Sequence, residues 1–117
     1  MPSRSPATIV VLEQNAAARE LIERALREAG NRVLVTNDPY EALELARRVR
    51  IDLLVAALDR AQQTFLQRLR SLEGSLRVLY LVNRDESVLA EADGRMTLNV
   101  PFSLEELLEA VDTSLGR

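Results

Sequence analysis

The chain reads as one α/β domain, a doubly wound parallel sheet with helices on both faces. Three observations predict it. Short apolar runs alternate with amphipathic stretches five times along 117 residues. The runs are apolar at consecutive positions, as in strands covered on both sides. Glycine and proline punctuate the junctions.

Thr8 to Leu12 is the first strand, nearly continuous in apolar residues. Asn15 can cap a helix running to Ala29, with Gly30 as its stop. Ala18, Leu21, Ile22, Ala25, Leu26 and Ala29 form its apolar stripe, and Glu20/Arg24 and Glu23/Arg27 pair across its polar side. Arg32 to Thr36 is the second strand. Asp38-Pro39 supplies a cap and a proline at the first helical position. That helix runs to about Val49, with Ala42, Leu43, Ala46 and Val49 turned inward. Asp52 to Leu58, apolar after its first residue, is the third strand and the central one.

Gln62 to Leu72 repeats Phe65, Leu66, Leu69 and Leu72 at helical spacing, and Gly74 closes it. Leu76 to Val82 is the fourth strand. Asp85 to Ala92 is a short helix ended by Gly94. Arg95 to Val100 is the fifth strand, stopped by Pro101. Ser103 with Glu106 makes a capping box, and Leu104, Leu107, Leu108, Val111 and Leu115 carry the last helix. Five such units in this length predict the flavodoxin-like strand order 2-1-3-4-5. Functional groups then belong at the carboxyl ends of the strands, so Glu13, Gln14, Ala57, Asp59, Val82, Asn83 and Val100 are the positions to interrogate.

Composition narrows the chemistry. The chain has no cysteine and no histidine, and all fifteen basic residues are arginine. Thiolate sites, imidazole bases and lysine chemistry are therefore excluded. A net charge of −3 argues against a dedicated nucleic-acid binder. Arg47, Arg48 and Arg50 read as the solvated end of a helix, and Glu105, Glu106, Glu109 and Asp112 as the water side of another. The four glycines are isolated, with no phosphate-binding loop among them. No apolar run approaches the roughly 18 residues of a membrane span. Residues 1–7 are expected to be a disordered tail without signal character, leaving residues 8–117 as a cytoplasmic domain.

In order and spacing, four segments resemble the receiver domain of two-component response regulators. Ile9-Val10-Val11-Leu12-Glu13-Gln14 resembles the family's first strand and acidic pair. Glu41-Ala42-Leu43-Glu44-Leu45 resembles its second helix. Ile51 to Leu58 resembles its third strand, and Val100-Pro101-Phe102-Ser103-Leu104 its Lys-Pro-Phe segment. The resemblance covers Thr8 to Leu115 and implies a pocket where acidic oxygens hold Mg²⁺. There an aspartate accepts a phosphoryl group, while a lysine and a hydroxyl engage its oxygens.

Carried over by position, Glu13 and Gln14 stand for the acidic pair, Ala57 for the acceptor, Val82 for the hydroxyl and Val100 for the lysine. Thr97 stands where the family often has a switching aromatic. The segment Leu58-Asp59-Arg60-Ala61 lacks the family's Met-Pro and is short, as is the helix beginning at Asp85. The resemblance also implies a cis bond between Val100 and Pro101.

The expectation is a receiver-like domain that acts through protein contacts without aspartate phosphorylation, with no catalytic residue, cofactor or metal. The alternative is an atypical receiver that still takes phosphate or metal through Asp59 and Glu13. A third reading, a small enzyme or nucleotide binder on this fold, finds few residues to support it. Plainer roles exist for the single residues: Glu13 as a helix-entry charge, Asp59 and Asn83 as loop residues, and Phe102 as packing. The expected partner is a protein in a signalling pathway rather than nucleic acid or membrane. It would dock on the fourth helical segment, fifth strand and last helix through Arg84, Glu91, Arg95, Glu105 and Glu109, a face that could also form a homodimer.

Overall fold

The computed structural model describes residues 6–57, 76–82 and 96–116. Its elements are β1 (Thr8–Leu12), α1 (Ala16–Glu28), β2 (Arg32–Thr36), α2 (Pro39–Arg48), β3 (Leu53–Ala57), β4 (Val78–Val82), β5 (Met96–Asn99) and α3 (Leu104–Ser114). The five strands form one parallel sheet in the order β2-β1-β3-β4-β5, as the alternation predicts. The helices expected over Gln62–Leu72 and Asp85–Ala92 lie outside the described residues, as do Leu58, Asp59, Asn83, Arg84, Glu91 and Arg95.

Alternate strand residues divide the core in two. Ile9, Val11, Leu53, Val55, Leu79 and Leu81 pack with Ile22 and Leu26 of α1 and Leu107 and Val111 of α3. Val10, Leu12, Leu54, Ala56, Tyr80 and Val82 pack on the other face with Ala42 and Leu43 of α2. β3 is central, and its first four residues are buried.

The helix starts form as their residues dictate. Asn15 Oδ1 accepts the Ala18 N–H at 2.9 Å, and Asp38 Oδ1 accepts the Tyr40 N–H at 2.9 Å. Ser103 and Glu106 exchange two bonds of 3.1 and 3.0 Å in a complete capping box. Each cap contributes about 1 kcal/mol by satisfying N–H groups that the helix leaves open. Gly30 ends α1 with φ at +95°, where a side chain would be strained. The expected Glu20–Arg24 and Glu23–Arg27 pairs are present on the solvent side.

Several expectations are corrected. Leu21 does not join the buried stripe; it is 53% exposed and, with Leu104 and Leu108, lines an open groove between α1 and α3. Its position one residue before Ile22 puts it at the flank of the helix rather than over the sheet. Leu104 and Ala29 are likewise exposed. Val49 is 38% exposed because it is the extended C-cap of α2, already outside the helical turn. β4 begins at Val78 rather than Leu76, and β5 ends at Asn99 rather than Val100.

Asp52 precedes β3 rather than starting it, and the structure gives it a specific task. Its Oδ2 accepts the Thr8 N–H at 2.8 Å, while its own N–H donates to the Thr8 carbonyl at 2.9 Å. This reciprocal pair fastens the start of the β1–β3 ladder, one residue before its first pair Ile9–Leu53.

In urea unfolding followed by circular dichroism, Leu26→Ala should cost about 2–5 kcal/mol, because Leu26 is fully buried. Leu21→Ala should cost less than about 1 kcal/mol, as expected of a half-exposed side chain. Asp52→Ala should cost about 1–2 kcal/mol by orphaning the Thr8 N–H, whereas Asp52→Asn keeps an oxygen acceptor and most of the stability.

Candidate functional site

The carboxyl ends of β1, β3, β4 and β5 meet at one edge of the sheet. Leu12 pairs with Ala56 across β1–β3, Ala57 with Leu81 across β3–β4, and Val82 with Asn99 across β4–β5. The Val100 N–H extends this edge by donating to the Val82 carbonyl at 2.9 Å. Glu13, Ala57, Val82 and Val100 thus stand at strand ends along one edge, as the strand order requires. Asp59 and Asn83 lie outside the described residues.

The chemistry at these ends is largely apolar. Ala57 is partly buried and packs against the α1/α3 side of the core. Val82 is buried in the other cluster, and Val100 is half-buried. Thr97 is half-buried beside Tyr80. The Val100-Pro101 bond is cis, and Phe102 packs half-buried against the core, as the packing reading expects.

The polar residues are engaged within the protein. Glu13 Oε1 accepts the Asn15 N–H at 3.0 Å, which is the helix-entry role. The Glu13 carbonyl accepts from Arg19 Nη1 at 3.0 Å, and the Glu13 N–H donates to the Thr36 carbonyl at 3.1 Å. Gln14 Nε2 donates to the Asn37 carbonyl at 2.7 Å. Buried Thr36 accepts the Asp38 N–H on Oγ1 at 3.0 Å. Among the described residues, no three acidic, histidine or cysteine side chains are grouped to hold a metal ion.

Sequence reasoning missed Arg19, Thr36 and Asn37. Arg19 sits on the first turns of α1 and reaches back to a main-chain oxygen, a contact that leaves no trace in residue spacing. Thr36 before Asn37-Asp38 carries a recognisable side-chain turn signal.

Of the predicted partner face, Glu105 and Glu109 are exposed on α3, and Met96 is exposed on the edge strand β5. No described helix is long and apolar enough to cross a membrane.

Fold and edge define the class: a doubly wound α/β domain whose candidate site lies at the switch between β1 and β3. No protein-family model matches the chain. It is 35% identical over 116 residues to the response regulator MprA of Mycobacterium leprae (strain TN), covering 93% of this chain and 51% of that protein. MprA of Mycobacterium sp. (strain KMS) is 33% identical over 121 residues, covering 96% of this chain and 52% of that protein. The chain spans about half the length of these curated relatives. A response regulator receiver domain protein from Clostridium thermocellum superposes with a TM-score of 0.82 at 21% identity, covering 95% of each chain. By fold the chain matches a response regulator receiver domain protein, and by sequence it is similar to about half the length of the response regulators it matches.

Proposed function

We propose that this domain signals through protein–protein contact and does so without aspartate phosphorylation. The observation that carries the reading is Ala57 at the carboxyl end of β3, where the family's acceptor would stand. A methyl group offers no nucleophilic oxygen. Val82 and Val100 supply neither the hydroxyl nor the cation that would engage a phosphoryl group. A phosphoryl dianion there would lie beside Glu13 with a hydrocarbon wall opposite, an arrangement that burial penalises.

Mg²⁺ fits the same residues poorly. It needs several hard oxygens in near-octahedral order and gives up water reluctantly. The edge offers the Glu13 carboxylate, one oxygen of which accepts the Asn15 N–H, and the Gln14 amide, whose Nε2 donates to Asn37, which is too few hard oxygens for the ion.

On this reading the domain is not an enzyme and uses no cofactor, nucleic acid or membrane. It works in the cytoplasm by docking a signalling protein, or a second copy, on the face that includes β5 and α3. Glu105 and Glu109 would form part of the polar rim, with Arg84, Glu91 and Arg95. Rim charges act more on association than on folding.

The chemical test is incubation with acetyl phosphate and Mg²⁺, followed by intact-mass measurement. The wild type should gain no phosphoryl group. Ala57→Asp should gain little, because the hydroxyl and lysine positions stay apolar. Stoichiometric labelling of the wild type would overturn the reading, and its mapping to Asp59 would favour the atypical receiver. The docking face has its own test, a pull-down from lysate of the source cells. Glu109→Arg should weaken capture of the partner several-fold while leaving the circular dichroism melt in place. Undiminished capture would remove α3 from the face.

A further inference from the structure

We propose that Gln14 is a clasp, a positioning residue that holds the β1–α1 loop to the β2–α2 loop through a neutral donor. The two loops already share one main-chain bond, from the Glu13 N–H to the Thr36 carbonyl at 3.1 Å. One residue further along each loop, Gln14 Nε2 donates to the Asn37 carbonyl at 2.7 Å. The clasp therefore doubles the connection with a side chain that crosses from one loop to the other.

What it joins are two helix entries. On the α1 side, Glu13 Oε1 takes the Asn15 N–H and Asn15 Oδ1 takes the Ala18 N–H. On the α2 side, Thr36 Oγ1 takes the Asp38 N–H and Asp38 Oδ1 takes the Tyr40 N–H. Arg19 Nη1 anchors the Glu13 carbonyl from below. Glu13, Asn15, Thr36 and Asp38 thus each serve loop geometry, and Gln14 is a side chain that ties the two capping systems together.

The bond requires an amide. A carboxylate at position 14 has the same shape but no N–H, so it would set an acceptor against the Asn37 carbonyl. It would also place a second negative charge beside Glu13. The clasp stands whether or not the edge takes a phosphoryl group, so labelling results and clasp results are independent.

The test is amide hydrogen exchange by NMR on wild type and Gln14→Glu. Exchange at Glu13, Asp38 and Tyr40 should quicken several-fold in the variant, while sheet amides such as Val10 and Val55 keep wild-type rates. In the wild type, a through-bond coupling should connect Gln14 Nε2 to the Asn37 carbonyl carbon. Unchanged exchange at the three loop amides would overturn the clasp. So would a wild-type Gln14 side chain that shows no coupling and exchanges as freely as in an unfolded peptide, which decides the matter even if the variant does not fold.

Discussion

Everything in this domain hangs on a parallel sheet that must be covered on both faces. A parallel strand buried on both sides needs apolar residues at consecutive positions, and Leu53-Leu54-Val55-Ala56 supplies them at the centre of the sheet. Each face then needs helices of its own. α1 and α3 bury Leu26, Leu107 and Val111 on one side, and α2 buries Ala42 and Leu43 on the other. Because every parallel crossover returns to the same end, the strand ends Glu13, Ala57, Val82 and Val100 are gathered at one edge as a consequence of covering the core.

With the core supplied by hydrocarbon, the polar residues are free to finish the ends of elements. Three arginines each donate to a main-chain carbonyl: Arg19 to Glu13, Arg27 to Val33 and Arg77 to Ser114. Arg77 stands just before β4 and reaches the last turn of α3, where carbonyls lack helical partners and a cation suits the helix dipole. The long side chain lets a residue on one element close another, which helps explain how an arginine-only set of cations serves a small domain.

The fold was legible in the sequence because its signals are local and redundant. The alternation of runs, the caps at Asn15, Asp38 and Ser103, and the stop at Gly30 all agree with one another and with the structure. Leu21 and Leu104 were misread because periodicity says which side of a helix is apolar, not where a neighbouring helix stops covering it. Asp52 was legible as a strand boundary but not as a partner for Thr8, since that contact joins residues 44 apart. The candidate site was legible only in part. Its positions follow from strand order, but the bonds from Gln14 to Asn37 and from Arg19 to Glu13 depend on how two loops lie in space.

Under the proposed reading, hydrocarbon at positions 57, 82 and 100 makes physical sense as a set. A lysine retained at position 100, with a methyl at position 57, would lack the carboxylate that the family's acceptor supplies there. A carboxylate retained at 57 without a cation would be the mirror problem. Removing one member of a desolvated charge pair leaves the other uncompensated, whereas replacing both by hydrocarbon of fitting size is often neutral or stabilising. Ala57, Val82 and Val100 are hydrocarbon together, and two of them pack into the core clusters that hold the sheet. Glu13 and Gln14, the polar residues that remain, are bonded to Asn15 and Asn37 rather than left facing the apolar strand ends. Among the described residues, the edge thus pairs Glu13 and Gln14 with its own loops and packs Ala57 and Val82 into the core.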